Sequence, residues 1–254
     1  MMTRTVAMRV AILRQPERAR ELCAALEDVG IETAVHPITR TVFLEPDDPD
    51  EWRTLVESAE WVVFTSVNAV HSLIGGVGGG AWLGDSLRAR KTAVLGQSSL
   101  TALGEMDVAP ALAEVKGTSD DLAAGLLQAL APRSRVLYPC AGRTIGTIED
   151  LLHAAGHDLC KLTCYTTEAI PTSDRLPIDW AGMDAAVVAA PSAVEALDLE
   201  PNLPGSMVFA AIGPTTARSL RDRGFRVLGE ASTPDTAAIV KLLTDQCRTV
   251  RPGS

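Results

Sequence analysis

The sequence predicts an α/β protein built from two similar parallel-sheet lobes, with its working site in a cleft between them. Three observations carry this. Apolar strand-like runs and amphipathic helices alternate along the chain. One βαβ pattern recurs 126 residues later without a gap. A length of 254 residues suits two domains of ordinary size.

The first strand is Met8-Arg-Val-Ala-Ile-Leu13, a short apolar run of the kind buried in a parallel sheet. Leu22, Ala25, Leu26 and Val29 then fall at i, i+3, i+4 and i+7, the apolar face of a helix. Gly30 stops that helix, and residues 31–38 form the next strand. The second copy has Val136-Leu-Tyr138, then Ile148, Leu151, Leu152 and Ala155, then Gly156 and a strand over 158–165. Further strand-to-helix passages start at Trp61, Ala93, Asp184 and Phe209. Ser119-Asp-Asp-Leu122 and Thr233-Pro-Asp-Thr236 read as caps of late helices. Residues 75–80, with five glycines in six positions, read as a loop, and 171–177 as a polar connector.

Composition narrows the function. Hydrophobic residues are 46% and aromatics 4%, so base-stacking platforms are scarce. The net charge is −9 with no basic run, which argues against nucleic acid and anionic membranes as partners. A few local arginines still suffice for a small anionic substrate. No stretch approaches a membrane span of roughly 20 apolar residues, and no signal peptide opens the chain, so a cytoplasmic protein is expected. Cys23, Cys140, Cys160, Cys164 and Cys247 match no zinc spacing and read as reduced, buried thiols. His153 and His157 are separated by the helix stop at Gly156, so no metal site is expected. No Gly-rich phosphate or dinucleotide fingerprint is present, so neither is a cofactor.

Ligands of open parallel sheets bind beyond the carboxyl ends of the strands. Those ends carry Arg14; Thr65, Ser66 and Asn68; Ser98 and Ser99; Arg143 and Thr144; Ser192; and Thr215 and Thr216. These are hydroxyl residues at helix starts, with two arginines, a set suited to carboxylates or phosphates. Ordinary N-capping explains any one Ser or Thr equally well. Tyr165 closes its strand. A phenol, with a reference pKa of about 10, can protonate a leaving oxygen.

The runs Ile12-Leu-Arg-Gln-Pro16, Trp61-Val-Val-Phe-Thr-Ser-Val-Asn-Ala-Val70, Leu159-Cys-Lys-Leu-Thr-Cys-Tyr-Thr-Thr167 and Ala210-Ala-Ile-Gly-Pro-Thr-Thr-Ala217 resemble the uroporphyrinogen-III synthase family, in order and spacing, from about residue 9 to 243. The resemblance implies flavodoxin-like lobes joined by a two-stranded linker. One domain is discontinuous (1–38 and 168–254), the other spans 41–165, and the crossings lie at 37–40 and 166–169. It implies cofactor-free, metal-free closure of the linear tetrapyrrole hydroxymethylbilane with ring D inverted. It also implies a monomer that takes substrate handed over by hydroxymethylbilane synthase. Tyr165 matches the family's proposed general acid. Arg14, Ser66 and Thr216 match substrate contacts, and Arg143 a weaker one. The second copy departs at Ala189-Ala190, where relatives often carry Thr-Ser, so Ser192 is the substitute donor there. That departure motivates an alternative: a non-catalytic tetrapyrrole-binding module of the same fold.

Overall fold

The computed structural model describes residues 8–249 except 145 and 234, with side chains through 245. Cys247 therefore lies outside the described side chains. The chain forms two compact units, residues 1–40 with 168–254, and residues 41–167.

The first unit holds a sheet of β1 (Arg9–Ile12), β2 (Glu32–Val35), β9 (Ala185–Val188), β10 (Val208–Ala211) and β11 (Arg226–Glu230). Every pairing is parallel, and the spatial order is β2-β1-β9-β10-β11. Counted along the chain this is 2-1-3-4-5, the flavodoxin-like order. Side chains alternate across β1. Val10 and Ile12 pack on α1 (Pro16–Glu27) and α10 (Thr236–Thr249). Ala11 and Leu13 face α8 (Pro191–Leu197) and α9 (Pro214–Asp222).

The second unit repeats the plan. Its sheet runs β3-β8-β7-β4-β5-β6. The strands are β3 (Thr39–Phe43), β4 (Trp61–Phe64), β5 (Lys91–Leu95), β6 (Leu112–Glu114), β7 (Arg135–Ala141) and β8 (Asp158–Ala169). One face packs on α2 (Pro49–Ser58), α3 (Val67–Gly76), α4 (Gly80–Arg88) and α5 (Gln97–Gly104). The other packs on α6 (Ser119–Ala129) and α7 (Thr147–Ala154). Set aside β3, and β8-β7-β4-β5-β6 matches β2-β1-β9-β10-β11 strand for strand. Ile170 N–H donates to Ile38 and Leu44 N–H to Cys164, so β3 runs antiparallel to β8.

The 126-residue repeat is written in hydrogen bonds as well as in residue types. Arg9 pairs with Glu32, and Arg135 with Asp158. Ile31 N–H reaches Leu26 O at 3.0 Å, and His157 N–H reaches Leu152 O at 3.1 Å. Gly30 and Gly156 both end their helices left-handed, at φ 80° and 78°, the conformation that favours glycine there. Leu22, Leu26, Ile148 and Leu152 are all buried, each contributing roughly 1.5–3 kcal/mol.

Two local expectations are corrected and a third is met. The glycine run is not a loop over 75–80: Gly75 and Gly76 end α3, and Gly80 begins α4. Close packing requires Gly76, where a Cβ would enter the Trp52 ring, and positive φ values of 82° and 134° favour glycine at Gly78 and Gly79. The cap of α6 is Thr118, which forms a reciprocal box with Asp121. At α10 the capping oxygen belongs to Asp235, which accepts from Ala238 N–H at 2.8 Å. Among the described residues no helix is long and apolar enough to cross a membrane.

Candidate functional site

Parallel pairing sets the carboxyl ends of β1, β9 and β10 along one edge of the first sheet. That edge carries Arg14, Ser192, Thr215 and Thr216. In the second unit β7, β4 and β5 do the same for Arg143, for Thr65, Ser66 and Asn68, and for Ser98 and Ser99.

Two of the helix starts at these edges are left open, as is that of α4, whereas α1 and α7 carry first-turn acids and α3 is capped by Ser66. Gly96 precedes α5 and Gly213 precedes α9, and neither helix has a side-chain cap or an acidic residue in its first turn. Space is open around both glycines, with no atom within 4 Å of an added Cβ. The first-turn N–H groups of α5 and α9 therefore lack the usual side-chain acceptor. Ala190, before the short α8, also supplies no cap. By contrast α2 starts on Asp48 with Asp50 and Glu51 in its first turn, and α6 on its Thr118–Asp121 box. Plain capping thus accounts for Ser66, whose oxygen accepts from Asn68 N–H at 3.2 Å. It does not account for Ser98, Ser99, Ser192, Thr215 or Thr216.

Burial separates neighbours that look equivalent in sequence. Ser98 and Thr215 are exposed, whereas Ser99 and Thr216 are only 2% and 3% exposed. Outward hydroxyls at these starts come from Ser98 and Thr215. Ser99 and Thr216 sit on the core side of the first turn. Ser192, Thr65 and Asn68 are half-buried, and Arg143 is exposed.

Arg14 is half-buried. Burial and the neighbouring Arg18 lower its pKa, and Glu21 opposes them. With Arg18, Glu21, Asp235 and Thr236 it lines a cavity of about 390 Å³. A larger cavity of about 700 Å³ opens at the amino ends of β4 and β5. There α2, α4 and α6 end, and Arg88, Arg90 and Lys91 line it together with Glu57 and Glu60.

Tyr165 does not close its strand, since β8 continues to Ala169; it lies opposite Ala141, 8% exposed, within the α3-side core of its unit. Three further groups lie around the end of β7. Lys161 Nζ reaches Glu149 Oε1 and Thr144 Oγ1, each at 3.0 Å, and Thr144 donates to Glu149. Burial pushes the Glu149 carboxyl up, but hydrogen bonds from Thr144, its own backbone and Lys161 outweigh it and lower the pKa. Thr144 is thereby occupied. Tyr138, which reads from sequence as a plain strand-interior residue, shares a hydrogen bond of 3.1 Å with Thr65. The one available signal was that it is the chain's only other tyrosine.

Comparison with known proteins agrees in fold and in sequence. The structure of uroporphyrinogen-III synthetase from Helicobacter pylori superposes with a TM-score of 0.63, at 16% identity, covering 94% of this chain and 99% of that one. A mutant uroporphyrinogen III synthase from Thermus thermophilus gives 0.58 at 22% identity, covering 96% and 99%. The chloroplastic uroporphyrinogen-III synthase of Oryza sativa subsp. japonica is 24% identical over 250 residues, 94% of this chain and 80% of the relative. The model described as uroporphyrinogen-III synthase HemD matches residues 20–241, a span that takes in both units and nearly all the strand ends described above, and the chain therefore belongs to the uroporphyrinogen-III synthase family.

Proposed function

We propose that this chain is a hydro-lyase that closes hydroxymethylbilane to uroporphyrinogen III with ring D inverted, using its own groups and no cofactor. The observation that carries the site reading is the pair of open helix starts at α5 and α9. They occupy matching places in the two sheets and lack both cap and acid. A substrate with several carboxylates needs such donors, and each well-placed helix terminus contributes about 0.3–1 kcal/mol.

In this reading Thr65, Asn68 and Ser98 in one unit, and Ser192 and Thr215 in the other, donate to carboxylates. Ser66 donates its remaining proton, and Ser99 and Thr216 contribute backbone N–H groups. Arg14 and Arg143 supply charge. Tyr165 protonates the ring-A hydroxyl, the C–O bond breaks, and water leaves. The resulting azafulvene is attacked by the substituted α-carbon of ring D, the spiro intermediate breaks its bond to the methylene shared with ring C, and that methylene bonds the other α-carbon of ring D, whose proton is lost and restores the Tyr165 phenol. One water is lost overall. Holding the chain bent suppresses the uninverted closure that occurs spontaneously. The protein works as a monomer in the cytoplasm, receiving substrate from hydroxymethylbilane synthase.

The test is isomer analysis of product from purified protein and hydroxymethylbilane. Inverted product above the blank is expected. Uninverted product at the blank rate, with a tetrapyrrole-induced thermal shift, identifies a binding module instead.

A further inference from the structure

The chain's second tyrosine is buried at the substrate-facing edge without a role in the reaction just described. Tyr138 lies on β7 and Thr65 just past β4, on adjacent parallel strands. Trp61, Val63 and Tyr138 belong to one core face, and alternation along β4 puts Thr65 on the same side. The phenol is 4% exposed, and Thr65 Oγ1, 3.1 Å away, is its hydrogen-bond partner. Two hydroxyls share this bond, so one proton lies in it and the other lies outside it. Keeping the phenol proton in this bond satisfies a buried donor that is costly to leave unpaired. The phenol is also the stronger acid of the two. Either oxygen can donate in this bond; burial and acidity both favour Tyr138 as the donor, which leaves the Thr65 proton outside it.

We propose that Tyr138 is a positioning residue: its hydroxyl fixes Thr65 as an outward hydrogen-bond donor to a substrate carboxylate. This rests on the reading of Thr65 as a substrate contact. Donation into Thr65 also polarises its O–H, strengthening the outward bond. Burial, only partly offset by the Thr65 bond, moves the phenol up to about 12, so Tyr138 stays protonated across any assay range. The arrangement does not switch with pH.

Steady-state kinetics of Tyr138→Phe, Thr65→Val, Thr65→Ser and the double variants test this, with melting temperatures alongside. Tyr138→Phe is expected to raise KM for hydroxymethylbilane roughly three- to tenfold, the scale of one hydrogen bond, with kcat within about twofold. The effect should vanish on a Thr65→Val background and persist on Thr65→Ser, which keeps the oxygen. An unchanged KM in Tyr138→Phe overturns the proposal, whether or not the melting temperature falls. So does a Tyr138→Phe effect of equal size on Thr65→Val. A wild-type protein that forms no inverted isomer removes the underlying function. Normal wild-type turnover with an unchanged KM in Thr65→Val removes only the Thr65 contact and the positioning role with it.

Discussion

His36 Nε2 lies 3.3 Å from Glu200 Oε1, although the two residues stand 164 positions apart. Both side chains are buried. Glu200 also accepts from Trp180 Nε1 at 3.0 Å and pairs with Arg175, whose Nε holds Ile170 O at 2.8 Å. The Trp180 ring meets His36 edge-on, 5.6 Å between centroids. One carboxylate thus joins the end of β2 to the segment that follows β8, inside the first unit.

Glu200→Gln keeps the shape but leaves the buried Arg175 guanidinium without a counter-charge. Breaking a buried pair from one side costs about 3–5 kcal/mol. Urea denaturation should show a loss of that size with the slope unchanged. A loss below about 1 kcal/mol would contradict the assigned pairing.

The same carboxylate sets an acid limit. Burial raises its pKa, but hydrogen bonds from His36, Trp180 and Arg175 more than reverse this and bring it to about 2, from 4.5. A depressed folded-state pKa gives stability that is fully present above the unfolded value and lost as pH falls. Glu200's contribution should therefore disappear between about pH 4.5 and 2. Stability measured across that window should fall more steeply in wild type than in Glu200→Gln.

Gly213→Asp separates folding from binding. Its φ of −177° is extended backbone that any residue adopts, and the space around it is open. An aspartate there caps α9, adding a few tenths of a kcal/mol to stability. It also places a negative charge where a substrate carboxylate is expected. Melting temperature should hold or rise slightly while KM rises about tenfold, a penalty on the scale of a helix-terminus charge interaction. An unchanged KM would remove α9 from the site.

Tyr165→Phe should lower kcat about tenfold to a thousandfold, the range of general acid catalysis or somewhat below it, with melting temperature within a few degrees. Unchanged turnover would assign proton delivery elsewhere.

Gly76→Ala should destabilise by about 1–3 kcal/mol through overpacking against Trp52. Trp52→Leu in the same background should recover part of the loss, which circular dichroism on heating would show.

Local periodicity made much of the fold legible. The Leu22–Leu26 spacing, the Gly30 stop and their copies at Ile148, Leu152 and Gly156 identified both βαβ units, because burial of one helix face and a left-handed glycine leave direct marks in sequence. Helix α4 was missed because glycine is a poor helix former, and the close approach of Gly84 to Met106, where an added Cβ would lie 2.9 Å from the carbonyl oxygen, leaves no mark in local sequence. The site was legible as a set of strand ends. It was not legible which hydroxyl of each adjacent pair faces outward: Ser98 and Ser99, like Thr215 and Thr216, differ only by about 100° of helical rotation. The Glu200 cluster left no mark, since its members come from three distant segments.

The matching strand orders of the two sheets carry a consequence for ancestry. Along the chain the strands other than β3 fall into a pair (β1, β2), a triplet (β4 to β6), a second pair (β7, β8) and a second triplet (β9 to β11). Adding 126 to β2 and β3 gives positions inside the single long strand β8. Yet the first pair joins the last triplet, and the second pair the first triplet. This is the arrangement that a tandem repeat would have if its halves had traded partners within one polypeptide, an intramolecular form of domain swapping. A half-length ancestor resembling residues 8–131 would have held one pair and one triplet, the complete strand set of a single sheet. Two such chains, by reciprocal exchange, would have built both sheets before any fusion joined them.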